Sequence, residues 1–133
     1  MKSKQVLSVE QMKHLQEIGL ELRNTSMLLW YKQMLGKIPI SDWELSVWRE
    51  SLFSEDHVYP AYTLQDILDK LPCFIGNEVL TIQKLADSYT CLYMEPYSRS
   101  MINITESKEL IDAVYDMLCW CIENGYVKVG KEE

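Results

Sequence analysis

The sequence is poor in the features by which a chain declares a chemistry. Its five glycines, at positions 19, 36, 76, 125 and 130, stand singly. No Gly-x-Gly-x-x-Gly, Gly-x-Ser-x-Gly or His-Glu-x-x-His run is present, which disfavours nucleotide-dependent and zincin chemistries. The four cysteines are Cys73, Cys91, Cys119 and Cys121, and they lack the Cys-x-x-Cys pairing of a zinc site. Cys119 and Cys121 are separated by about 200° around a helix, so their sulfurs diverge and cannot hold one ion. There are only two histidines, His14 and His57. No run of about 18 apolar residues exists, so no transmembrane helix is expected. Lys2 and Lys4 are followed only by Val6 and Leu7 before Ser8, which is no secretory h-region. The expected location is therefore the cytoplasm, where disulfides are not expected.

Clustered basic charge is missing too. The net charge is −7. Residues 1–60 hold seven basic and eight acidic side chains, a balance of −1, whereas residues 61–133 hold six and twelve, a balance of −6. A nucleic-acid binder normally carries a basic face, so direct binding to DNA or RNA is not expected, nor is binding to an anionic membrane. An acidic protein that occupies the nucleic-acid site of another protein is compatible with this balance.

What is present is an ordinary globular composition, 47% hydrophobic and 25% charged. A chain of 133 residues has the size of one domain, read here as 1–133 with fraying ends at 1–5 and 130–133. It is long enough to bury roughly two thirds of its unfolded surface without a metal or disulfide.

Ser8 and Gln11 match a capping box, with Leu7 and Met12 as a hydrophobic staple. Met12, Leu15 and Ile18 then give a thin apolar face, and Gly19 suits a C-terminal cap. Residues 26–33 lean towards a strand, 35–42 towards a hairpin loop, and Trp43 to Arg49 alternates as a half-buried strand. Residues 50–62 read as a loop. Thr63 and Asp66 cap a short helix carrying Leu64, Ile67, Leu68 and Leu71, which Pro72 ends. Residues 78–85 and 89–95 read as a second hairpin. Tyr97 to Ile104 reads as irregular or as a short edge strand. Thr105 or Ser107 begins the last helix, Gly125 ends it, and residues 126–129 form a tail able to pair at a sheet edge.

The implied fold is α+β: a small antiparallel sheet of about four strands covered by helices, in the order α-ββα-ββα. The runs Tyr62-Thr-Leu-Gln-Asp-Ile-Leu-Asp-Lys-Leu-Pro72 and Met117-Leu-Cys-Trp-Cys-Ile-Glu-Asn-Gly-Tyr126, the latter preceded by Leu110-Ile-Asp-Ala, resemble a set of small proteins of gut Bacteroidales. Those proteins are associated with prophages and other mobile elements and carry no established activity. The resemblance covers roughly residues 8–24 and 60–130. It implies a context, an accessory gene of a mobile element, and transfers no functional residue.

The last helix is the most informative stretch. Leu110, Val114, Met117, Leu118, Cys121 and Ile122 make a continuous apolar stripe. Glu109, Asp112, Asp116 and Glu123 lie opposite, with Trp120 among them. A large aromatic on an acidic face needs a second surface: another part of the fold, a second copy or a partner. Tyr and Trp are enriched at interfaces, and Trp48 also faces away from its strand's apolar side. The candidate interface residues are therefore Trp120, Trp48, Asp112, Asp116 and Glu123. The carboxylates also read as a solvated face, since like charges at i, i+4 cost only roughly 0.2–0.5 kcal/mol.

The cysteines read as small buried hydrophobes, the alternatives being a reactive thiol or a metal ligand. The leading functional reading is a non-enzymatic protein-interaction domain. Its partner is a protein or a second copy, with no catalytic residue, metal or cofactor. The alternatives are an acidic nucleic-acid mimic that inhibits a host DNA-processing protein, and a small thiol-dependent enzyme pairing Cys91 or Cys119 with His57.

Overall fold

A computed structural model describes residues 4–20, 27–31, 34–35, 38–39, 43–47 and 58–129. Helix α1 (Val9–Glu17) starts on the expected capping box. The Ser8 hydroxyl accepts from the Gln11 amide at 3.1 Å, and Gln11 Oε1 accepts from the Ser8 amide at 2.9 Å. Leu7 and Met12, on either side of that cap, are both fully buried, as a hydrophobic staple requires. Gly19 ends the helix with a φ of 110°. The Leu20 amide then reaches the Leu15 carbonyl and the Gly19 amide reaches that of Gln16, the two bonds of a Schellman motif.

Strands β1 (Met27–Tyr31), β2 (Met34–Leu35), β3 (Ile38–Pro39), β4 (Trp43–Val47) and β5 (Val58–Ala61) follow. β1 lies between β4 and β5, antiparallel to both, and β2 pairs with β3. The stretch expected to be a loop over 50–62 therefore ends in a strand. Pairing with Met27 to Trp30 supplies β5 with the hydrogen bonds that its local sequence does not advertise.

Helix α2 (Leu64–Lys70) starts on the reciprocal Thr63–Asp66 cap. Its stop is set by Pro72, which forces Leu71 out of the helical region, to φ −82° and ψ 141°. Four strands come next: β6 (Phe74–Ile75), β7 (Glu78–Lys84), β8 (Tyr89–Met94) and β9 (Met101–Ser107). They form one antiparallel meander in sequence order. The expected four-stranded antiparallel sheet is thus present. It lies wholly after α2, and the order of helix, strands, helix, strands, helix broadly matches the expected α-ββα-ββα, with more strands in each run.

Helix α3 (Leu110–Glu123) begins later than Thr105 or Ser107 because both belong to β9, opposite Cys91 and Tyr89. The Thr105 hydroxyl donates to the Ala113 carbonyl at 2.7 Å, which ties strand to helix instead of capping the helix. Glu109 occupies the cap position without a side-chain hydrogen bond.

The core lies between the sheet and the helices. It joins Leu7, Met12 and Leu15 of the N-terminal segment to Tyr62, Ile67, Cys91, Tyr93 and the stripe of α3. The expected members Val114, Met117, Leu118, Cys121 and Ile122 are all buried. Residues 126–129 form no strand. Val127 and Val129 pack against the core instead.

Candidate functional site

Successive residues of a strand point to opposite faces, and cross-strand partners share a face. The register therefore sorts the β6–β9 sheet into two sides. On the helix side lie Ile75, Leu80, Cys91, Tyr93 and Thr105. On the far side three rows cross the sheet. The first is Phe74, Val79, Met94 and Met101, one residue from each strand. The second is Thr81, Leu92 and Ile104, and the third is Gln83, Thr90 and Glu106. Two rows are apolar but for one threonine, and the third is polar.

A bulge in β9 builds this arrangement. Leu92 pairs with Ile104 and Met94 with Met101, so Ile102 and Asn103 both stand against Tyr93. Met101 and Ile104 are three apart, and plain alternation would put them on opposite faces. The extra residue brings both outward. Asn103 and Thr105 of β9 meanwhile turn to the helix, where the Asn103 amide donates to Met117 Sδ at 3.7 Å.

Among the described residues no helix packs on the far side. Phe74 is 63% exposed, Met101 55% and Ile104 52%. Between these outer residues the floor is lower: Val79, Thr81 and Met94 are half-buried and Leu92 is 1% exposed. The result is a shallow apolar trough along β7 and β8, walled by Phe74 on β6 and by Met101 and Ile104 on β9. Thr90 donates to Gln83 at 3.4 Å and Ser88 donates to Glu106 at 2.6 Å, so the polar row is held in place at one end.

The residues singled out from sequence lie elsewhere. Trp120 is half-buried and stacks on Tyr126, with ring centroids 5.3 Å apart at 25°. Gly125, at φ 82°, reverses the chain after α3 and delivers that ring. The Tyr126 amide donates to the Cys121 carbonyl and the Gly125 amide to that of Ile122, a second Schellman motif. Asp112 accepts from Lys4 Nζ at 2.8 Å and from Gln11 Nε2 at 2.9 Å, while Lys4 Nζ also reaches Gln11 Oε1 at 2.7 Å. Lys4, read as part of a fraying end, is thus fastened to α3. Asp116 and Glu123 are exposed. Partial burial, then the nearby Asp112, pushes the Asp116 carboxyl above its ordinary value. Trp48 lies outside the described residues, as does His57.

The Cys91, Cys119 and Cys121 thiols are held protonated. Burial pushes Cys91 up to about 12, with Cys121 adding to the shift, and pushes Cys119 and Cys121 each to about 11. A nucleophilic thiol needs the opposite shift. Cys73 is the exposed cysteine. Among the described residues no three His, Cys, Asp or Glu side chains are placed to hold a metal ion. No described helix is long and apolar enough to cross a membrane. No family model, no curated protein and no solved structure matches the chain.

Sequence reasoning missed the far side of the sheet. A signal for it exists in β8. Cys91, Leu92, Tyr93 and Met94 form an unbroken apolar run, the mark of a strand with apolar surroundings on both faces.

Proposed function

We propose that this chain acts by binding another protein and carries no chemistry of its own. The observation that supports this reading is the apolar trough of the β6–β9 sheet, whose Phe74, Met101 and Ile104 are each more than half exposed. Full burial of one large apolar side chain is worth roughly 1.5–3 kcal/mol, so covering three that are half exposed returns roughly 2–5 kcal/mol. A micromolar complex needs about 8 kcal/mol, so polar contacts at the rim must supply the rest.

The Trp120 face supports the reading less well. Tyr126 already covers that ring, and Lys4 breaks the acidic row at Asp112. The same break weakens the case for a nucleic-acid mimic, and the raised thiols weaken the case for a thiol enzyme. The resemblance to mobile-element proteins supports a setting among accessory functions of such an element.

The test is cross-linking of the tagged chain in its own cells, comparing the wild type with Ile104→Glu and Trp120→Ala. The expected result is a specific cross-linked protein that is lost with Ile104→Glu and kept with Trp120→Ala. Cross-links indifferent to Ile104→Glu would refute the trough as the contact surface.

A further inference from the structure

We infer that the open edge of β9 pairs with β9 of a second copy, antiparallel about Thr105, so that two four-stranded sheets become one. The contact lies at the rim of the sheet, not in the trough on its far side, and goes beyond the reading above.

The hydrogen-bond phase shows which groups are available. In an antiparallel pair, bonded and non-bonded residue pairs alternate. The Leu85 amide donates to the Ser88 carbonyl at 2.8 Å at the β7–β8 turn, and the Glu95 amide donates to the Ser100 carbonyl at 2.9 Å at the β8–β9 turn. Counted from either turn, Tyr89, Cys91 and Tyr93 direct their N–H and C=O towards β9. Ser107 and Thr105 stand opposite Tyr89 and Cys91 and complete those bonds. Ile104 and Glu106 alternate with them and turn their N–H and C=O away from β8. Among the described residues nothing bonds to these four groups, and both residues are exposed. The bulge confines the regular edge to residues 104–107. No lysine or proline guards it, whereas the opposite open edge, on β7, carries Lys84.

Register and affinity then favour a second copy over a free peptide. Pairing about Thr105 sets Ile104 against Glu106 of the second copy and Glu106 against its Ile104. The four outward groups of one edge meet the four of the other. Thr105 faces Thr105, a favourable cross-strand pair, and Glu106 does not face its own kind. Four net main-chain bonds, each worth roughly tenfold or less, give a free peptide a dissociation constant no tighter than about 0.1 mM. Ordering that peptide weakens it further. A second copy arrives with its strand ordered and brings α3 as well. Ala113 and Met117 of α3 meet Thr105 and Asn103 of β9, while Cys121 lies against Tyr93 of β8. The axis of α3 therefore runs above the gap between the two strands. With strands about 4.8 Å apart, joining the sheets sets the two α3 axes about 10 Å apart, a distance at which helices pack. Continuing round α3 from Cys121, Met117 and Ala113, the next positions are Trp120 and Asp116. These two line the flank that meets the other helix. Asp116 sets a like-charge cost there, which keeps the pair reversible.

The experiment follows the full chain by light scattering and amide hydrogen exchange, from low micromolar to near-millimolar concentration. The expected result is a concentration-dependent dimer. In it the Ile104 and Glu106 amides gain at least about tenfold protection, while those of Thr105 and Ser107 are protected throughout. Glu106→Pro removes an outward N–H and no bond to β8, and should weaken the dimer at least about tenfold. Ile104→Glu sets carboxylates opposite each other and should also weaken it, whereas Ile104→Lys sets a lysine opposite Glu106 and should tighten it. Circular dichroism checks that each variant folds. If Glu106→Pro unfolds the chain, the two Ile104 variants carry the test. A monomer at every concentration overturns the inference, as does a dimer indifferent to Glu106→Pro or to the sign of the charge at position 104. Glu106→Pro keeps Phe74, Met101 and Ile104, so cellular cross-links that survive it and fall with Ile104→Glu leave the protein-contact reading standing even where the dimer fails.

Discussion

Gln11 illustrates how much one side chain can hold. Its carbonyl oxygen closes the cap of α1 and receives Lys4, while its amide nitrogen reaches Asp112 on α3. Half of this was legible: Ser8 and Gln11 stand three apart, as a capping box requires. The reach to Asp112 spans 101 residues and has no sequence signature. Gln11→Ala removes the cap partner and the link to Asp112 together. It should cost about 1–2 kcal/mol, read as a lower urea midpoint with an unchanged slope. The surface set against Trp120 was not legible for a related reason. A helical wheel shows that its ring leaves the apolar stripe, but not that Gly125 turns the chain back and sets Tyr126 against it.

At the scale of elements, legibility followed the origin of the signal. Helices α1 and α2 are fixed by local caps, and the stripe of α3 by a period of 3.6, so all three could be read. The β7–β8 hairpin could be read from its two runs and intervening turn. Strand β9 could be read only as an irregular stretch or a short edge strand, because its bulge breaks the alternation that announces a strand, and the same bulge creates the trough. The second row of that trough joins a buried residue to an exposed one. Leu92→Ala should destabilise the chain by about 2–4 kcal/mol, although Leu92 is no part of the core under the helices. Ile104→Ala, its neighbour in the register, should stay within about 0.5 kcal/mol. Denaturant unfolding of the two variants checks the contrast, and equal costs would mean that the row is not arranged as described.

For the whole molecule, the buried thiols and phenols set a limit at high pH. Cys91 moves from an ordinary 9.0 to about 12, and Tyr62, chiefly through burial, from 10.0 to about 12. The unfolded chain therefore gives up these protons first. Between pH 9 and about 12 it binds fewer protons than the folded chain, so stability falls as pH rises. Thermal melts should hold steady below pH 9 and drop progressively above it, and a flat profile to pH 11 would contradict the burial of these groups. Composition shows no cluster of basic residues. It could not show the joining of distant segments, which depends on pairs such as Lys4 with Asp112 and Gly19 with Val129. A β-carbon at Gly19 would come within 2.8 Å of Val129 Cγ2, so the N-terminal helix and the last described residues interlock closely. This interlock bears on how the protein is made. Helix α1 leaves the ribosome about a hundred residues before α3, an interval of roughly 5–20 s at ordinary rates of synthesis. Through that interval Leu7, Met12 and Leu15 have no α3 to pack on, so the nascent chain presents an unfinished apolar surface until translation reaches α3.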